Sequence, residues 1–312
     1  MDFQPTEDQK DLRAGVRDLL AGRYGREALR ASVDTGASVD RALWRELGEA
    51  GFFSLRLPEA EGGVGLGLPE AVLVFEEAGR VLLPGPLVAT HLAAGVVPGA
   101  AAGTTVVTAF DLGGGGLVAH LADADAVLGL PQVPAGEPVR SADPLTPLHR
   151  AAGAPGPFPE EYRAVGALLT AALQLGSALR TVELAVRYGK EREQFGQPIG
   201  AFQAVKHLCA GMLVRAEVAR TAVYAAAVTA EAGEIATAKL LADEAAVRNA
   251  RDCLQVHGGM GFTWEADVHL HLKRAWVRAE QWRTAAEAEE LLAAELLASS
   301  LSSSPSPSPS PS

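Results

Sequence analysis

The sequence is short of several things, and each shortage excludes a class of protein. Only two of its 312 residues are cysteine, Cys209 and Cys253. That is too few for a disulfide framework or a CxxC metal site. Both stand at apolar positions in helical-looking stretches and read as small buried hydrophobes. Basic side chains are in deficit, 27 Lys and Arg against 38 Asp and Glu, for a formal net charge of −11. Coating nucleic acid requires the opposite balance, so no nucleic-acid partner is expected; a few arginines gripping one phosphorylated cofactor remain compatible with it. No uninterrupted run of about 18 apolar residues occurs, so no membrane span is expected. The polar opening MDFQPTEDQK lacks the basic-then-apolar order of a signal peptide, which points to the cytoplasm.

What is present is a globular composition, 48% hydrophobic and 21% charged, at a length that suits about two domains. The first hundred residues read as helices. Thr6 with Gln9 forms a capping box ahead of Leu12, Val16, Leu19 and Leu20. A second helix is expected from Asp40 to Gly51, and Pro69 is placed to open a third through Glu76, Glu77 and Arg80. From about 99 to 157 the texture changes. Residues 104–110 and 126–130 read as strands, Gly113 to Gly116 as a hairpin or loop, and 131–159 as a path rich in proline and glycine. Helices resume over about 159–190, 201–231 and 234–257, the last stopped by Gly258 and Gly259, with a shorter one over 284–298. The closing Ser/Pro repeat from 299 reads as a disordered tail.

Three segments stand above composition: Arg187-Tyr-Gly-Lys-Glu-Arg192-Glu-Gln194-Phe195-Gly196-Gln-Pro198-Ile199-Gly-Ala-Phe202-Gln203; Gln255-Val-His-Gly258-Gly259-Met-Gly261-Phe-Thr-Trp264-Glu265; and an N-terminal one running from Trp44 to Arg80. Arg192 lies where one helix gives way to the next, where a guanidinium suits a bidentate contact to a diphosphate. Gly258 and Gly259 bare the backbone at another helix end for close approach of a ligand. Each has a plainer reading, a surface salt bridge or a helix cap; their pairing in one chain favours the ligand. Trp264 and Glu265 read as packing the glycine loop against a neighbouring helix. His257, His269 and His271 have neither one-face helical spacing nor the HExxH pattern, and read as structural; no metal is expected.

Together with Trp44…Gly51-Phe52…Leu57-Pro58-Glu59…Gly62-Gly63-Val64-Gly65…Glu76-Glu77-Ala78-Gly79-Arg80, these segments resemble the acyl-CoA dehydrogenase family of flavoproteins over almost the whole chain. The run from Gly261 to Ala275 resembles the actinobacterial branch, which includes steroid-side-chain enzymes of two unlike subunits. The resemblance implies a mainly α (α+β) fold: an N-terminal helical domain over 1–98, a middle β domain abbreviated to 99–158, and a C-terminal four-helix bundle over 159–298. It implies FAD, with removal of the proton α to an acyl-CoA thioester by a carboxylate and of the β hydride by the flavin. It carries over Arg192, Gln194, Phe195, Ile199, Gln203, Gln255, Gly258 and Gly259 as contacts to the flavin's phosphate and adenine half, held mainly by a neighbouring subunit. Expected partners are the acyl-CoA substrate, a homologous subunit or a second copy of this chain, and an electron-transfer flavoprotein-like acceptor.

Departures from the family pattern matter as much. Aligning Lys273-Arg274-Ala275 with the family's basic-Asp-Ala puts Trp282 where one branch carries its catalytic glutamate. A second branch's glutamate position falls on Gly166. Neither residue can take a proton, so the catalytic residue is unknown, with Glu280 a weak candidate. The middle segment also lacks the strands that contact the flavin ring. The expectation is a dehydrogenase subunit without the glutamate that completes a partner's FAD site. The alternatives are an autonomous enzyme with a base relocated to Glu280, and a flavin-free scaffold of the same fold.

Overall fold

The computed structural model describes residues 5–36, 38–113, 116–153 and 156–302. Helix α1 (Glu7–Arg23) starts on the expected capping box: the Gln9 N–H donates to the Thr6 hydroxyl and the Thr6 N–H to the Gln9 side chain. Helix α2 (Arg26–Asp34) was not anticipated, because its N-cap is Gly25 and no side chain caps it. Helix α3 (Arg41–Glu49) opens on Asp40, whose carboxylate accepts from the Ala42 and Leu43 N–H groups. Helix α4 (Leu68–Arg80) has Pro69 in its first turn, and a six-residue α5 (Leu87–Leu92) follows. Trp44, Phe53, Phe52 and Phe75 stack at centroid distances of 4.8, 5.3 and 5.1 Å and bind α3 and the following loop to α4.

The middle segment is thinner than the sequence suggests. Strand β1 (Val107–Thr108) pairs in parallel with β3 (Ala126–Val127), each two residues long rather than the five to seven expected. Strands β2 (Leu117–Ala119), β5 (Leu148–Ala151) and β4 (Gly136–Val139) form an antiparallel sheet in that order. The last two fall inside the stretch expected to be irregular. Pro138 is tolerated because β4 is an edge. Of the four-glycine run, Gly114 and Gly115 lie outside the described residues; the Gly113 N–H donates to the Glu280 carbonyl at 2.9 Å.

The C-terminal part is built on α6 (Glu160–Glu191), α7 (Gln203–Thr229), α8 (Ala232–His257), α9 (Val268–Ala279) and α10 (Ala285–Ser302), with a short hairpin of β6 (Glu193–Gln194) and β7 (Gln197–Pro198) between α6 and α7. Helix α9 was missed, its apolar pattern interrupted by Arg274 and Arg278. Helix α10 runs four residues past 298, so 299–302, expected in a disordered tail, are helical; the rest of that expected tail, residues 303–312, lies outside the described ones. By length and composition α6 alone among the described helices could cross a bilayer, but 89% of that window is buried as the central helix of the bundle.

Helices α4 and α6 cross at glycines. A Cβ on Gly176 would sit 1.9 Å from the Glu76 carbonyl oxygen, and one on Gly79 would sit 2.1 Å from that of Leu173. Beside this crossing, buried Glu77 receives Arg13, Arg17 and Arg80, and buried Glu76 takes the Tyr224 hydroxyl at 2.7 Å. The motif acids Glu76 and Glu77 therefore clamp α1, α4 and α7 together.

Candidate functional site

Because α7 reverses the chain between α6 and α8, the C-termini of α6 and α8 and the N-terminus of α7 meet at one end of the bundle. Tyr188 in the last turn of α6 stacks on His257 at the end of α8, ring centroids 4.1 Å apart. The two motifs are thus brought to a common end. Arg192 is the C-cap of α6, exposed, and its guanidinium has no hydrogen-bond or ion-pair partner among the described residues; its carbonyl accepts from the Ile199 N–H at 2.8 Å. Phe195 and Gly196 turn the β6–β7 hairpin with φ of +54° and +78°. The left-handed conformation costs a non-glycine residue about 1–2 kcal/mol, and Phe195 is also 91% exposed. An aromatic ring held strained in water is placed to meet something.

Gln203 begins α7 and is exposed; Ile199 is half-buried; the Gln194 side-chain amide donates to the Glu193 carbonyl at 2.8 Å. Gln255 is exposed on the last turns of α8. Gly258, with φ +58° and ψ −141°, has a backbone that side chains rarely adopt, and a Cβ on it or on Gly259 would meet open space. This end therefore offers bare backbone and a free guanidinium, which suits a diphosphate.

At the opposite end of α6, Trp282 and Gly166, the two residues expected at family glutamate positions, are in contact. Trp282, 4% exposed and with φ +60°, lays its indole on Gly166: a Cβ there would lie 2.2–2.6 Å from the Trp282 ring. Phe158 packs on the same indole at 5.4 Å. The space beside Gly166 is filled with aromatic carbon. Glu280 is exposed on the rim of an adjoining cleft of about 280 Å³, which Phe110, Asp111, Phe158 and Trp282 also line. Glu160 is taken up by an ion pair with Arg283.

Two residues here escaped the sequence reading. Asp111 accepts from the Gln281 amide at 2.9 Å, and burial pushes its carboxyl up to about 7, against the lowering effect of its own backbone N–H and Gln281. The available signal was an acid directly after an apolar run. Arg278, one helical turn from Arg274 inside α9, is 3% exposed.

The remaining motif residues are structural or superficial. His257 is held by the Cys253 carbonyl at 2.8 Å and His271 by the Ser177 hydroxyl at 2.8 Å. Trp264 does not pack the glycine loop as expected. It is half-exposed, stacks on His269 and lies within cation–π distance of Arg30 and Lys273, because the turn after the loop points it at α2 and α9; Glu265 is exposed. Among the described residues no group of three His, Cys, Asp or Glu side chains has metal-site geometry.

Residues 6–107 match the acyl-CoA dehydrogenase N-terminal domain and residues 163–290 the acyl-CoA dehydrogenase C-terminal domain. The chain is 36% identical over 294 residues to acyl-CoA dehydrogenase IpdE2 of Mycobacterium tuberculosis, covering 87% of this chain and 92% of that protein. Its fold matches the ChsE4-ChsE5 complex from Mycobacterium tuberculosis with a TM-score of 0.82 at 25% identity, over 98% of this chain and 100% of that one. It matches a variant of the Tcur3481-Tcur3483 steroid ACAD with a TM-score of 0.83 at 25% identity, over 95% and 99% of the two chains.

Proposed function

Because the chain belongs to the acyl-CoA dehydrogenase family, we propose that it is the subunit of a hetero-oligomeric, FAD-dependent acyl-CoA dehydrogenase that lacks the proton-abstracting glutamate and completes a partner's flavin site. One observation carries this reading: the Trp282 indole packed on Gly166, which closes both family glutamate positions at once. The two solved neighbours, the ChsE4-ChsE5 complex and the Tcur3481-Tcur3483 steroid ACAD, each couple two proteins, and the second is a steroid enzyme. Both features suit this chain, and a bulky steroid-derived acyl-CoA is the substrate class they favour.

The fit to FAD is divided. At the bundle end, the unpartnered Arg192 and the bare backbone of Gly258 and Gly259 suit the phosphate and adenine half, with Gln203 and Gln255 beside them as amide donors. At the ring half the fit fails, since two-residue strands and the Trp282 indole leave no wall for a flat ring system. On this reading the chain would lend its phosphate-side residues to a flavin site completed by another subunit. FAD would supply the hydride acceptor of the dehydrogenation, and Arg192 would neutralise and orient its diphosphate.

The test is to purify the chain alone and together with a longer homologue that carries an intact glutamate. Flavin absorbance and reduction of a dye by acyl-CoA are then recorded. The lone chain should bind little flavin and show no turnover; the pair should do both. Arg192→Ala in the pair should weaken flavin binding about 10- to 100-fold, the worth of a charge-assisted contact. Full FAD occupancy and turnover by the lone chain would sink the proposal. The rival reading, a self-sufficient enzyme using Glu280 from the cleft rim, requires that turnover together with its loss in Glu280→Gln.

A further inference from the structure

Helix α9 carries two arginines one turn apart, both buried and both on the wall of one small chamber of about 30 Å³. Their surroundings differ. Arg274 bonds the Asp143 carboxylate and the carbonyls of Leu83 and Leu145 at 3.2 and 3.0 Å. Arg278 has one bond, at 3.3 Å to the Leu173 carbonyl, and no carboxylate within ion-pair distance among the described residues. Asp143 is already committed to Arg274, the Thr146 hydroxyl and the Leu145 N–H. Nearby Lys239 is balanced by Asp243. Asp111, the other carboxyl on the chamber wall, accepts from Gln281 rather than from Arg278, and burial favours its neutral form; with Asp111 protonated, this part of the interior holds one positive charge in excess.

A guanidinium does not escape that situation by losing its proton, although burial first and then the Arg274 cation work against its charge. An unpaired buried cation is costly enough that proteins supply a counter-charge or do without the cation. The chamber beside Arg278 is the available space. By volume it accommodates about two waters, hence also one halide or one carboxylate head, but no acyl chain. Thr108, Thr146 and Gln281 contribute polar groups to its wall, and Asp111 stands both there and in the 280 Å³ cleft beside Trp282.

We propose that this chamber binds one small monovalent anion, a halide or a carboxylate, with Arg278 as its principal ligand. The anion has two possible sources, free in solution or as the acid end of a longer molecule lying in the adjoining cleft. The inference stands independently of the dehydrogenase role, since its test requires neither flavin nor partner.

The probes are sodium bromide, formate and hexanoate, applied to the full chain. Crystals soaked in bromide should show anomalous density against the Arg278 guanidinium. In solution, bromide should raise the melting temperature saturably, by a few degrees, at fixed ionic strength, and Arg278→Met should abolish that response. Should Arg278→Met fail to fold, Arg278→Lys should keep the response with bromide affinity lowered about tenfold. Hexanoate displacing bromide would identify the acid end of a longer ligand; displacement by formate alone would identify a free anion. Water in place of bromide density, or the same salt response in parent and variant, overturns the proposal.

Discussion

Trp282 and Asp111 show how much a single position decides. On the proposed reading the tryptophan stands where a family enzyme has its base and the glycine across the contact stands at the other base position, and their contact fills the space between them. Asp111 joins the same segment, taking the Trp282 N–H on its carbonyl and the Gln281 amide on its carboxyl. With its carboxyl pushed up to about 7, against about 3.9 in an unfolded chain, the folded protein holds a proton that the unfolded chain has released. Stability due to this group is therefore complete below about pH 4 and is lost as pH rises through about 7. Relative to the parent, Asp111→Asn should become more stabilising between pH 5 and pH 8, by roughly 2–3 kcal/mol, read by urea denaturation at the two pH values. An equal difference at both would mean that the carboxyl ionises normally.

At the scale of elements, the clamp on α4 is the point most exposed to a single change. Burial raises the pKa of Glu77, but the hydrogen bonds from Arg17 and Arg13 and the charge of Arg80 outweigh it and hold the carboxylate below its usual range. Its contribution is present above the unfolded carboxyl pKa and fades as pH falls through the folded one. Glu77→Gln leaves three arginines without their shared anion and should cost about 2–4 kcal/mol at pH 7, measured by chemical denaturation; a loss below about 0.5 kcal/mol would remove the clamp from the account. The caps at Thr6, Asp40 and Pro69 were legible because they are local. Helix α9 was not, because its two interior arginines break the apolar period for reasons that lie in the middle segment, at Asp143 and the neighbouring chamber. The strands were overextended for a similar reason. Val107 is held by the Thr90 hydroxyl of α5 at both its N–H and its carbonyl, and tertiary bonds of this kind stand in for a long ladder.

Over the whole molecule, acid should be the sharper threat. Burial holds His91 near 4, and His120 and His271 near 3, with neighbouring arginines lowering each further. All three are neutral when folded and become charged on unfolding below about pH 6.5, so the stability they contribute is present above that pH and lost beneath it. Between about pH 6 and 4.5 the unfolded chain binds about three extra protons on these histidines, while the folded chain binds one on Asp111. These four groups alone leave a balance of about two protons, a fall of about 2–3 kcal/mol per pH unit; Glu76 and Asp243, whose carboxyls burial also raises, work against it, and Glu77, held low by its arginines, works with it. Denaturant midpoints across that range check it, and a flat profile would contradict neutral buried histidines.

The sequence by itself determined the family, the helical frame and the candidate cofactor residues, because caps, glycine stops and motif spacing act over a few residues of chain. It also put Trp282 and Gly166 at the positions where a base is expected. Only the tertiary structure decided what those two residues do. They lie far apart in the chain, and the indole covers Gly166 only because α6 and the segment after α9 are packed against each other. The uncompensated charge on Arg278 has the same origin, since whether a buried cation has a counter-ion depends on which distant elements surround it, and local pattern carries no record of that.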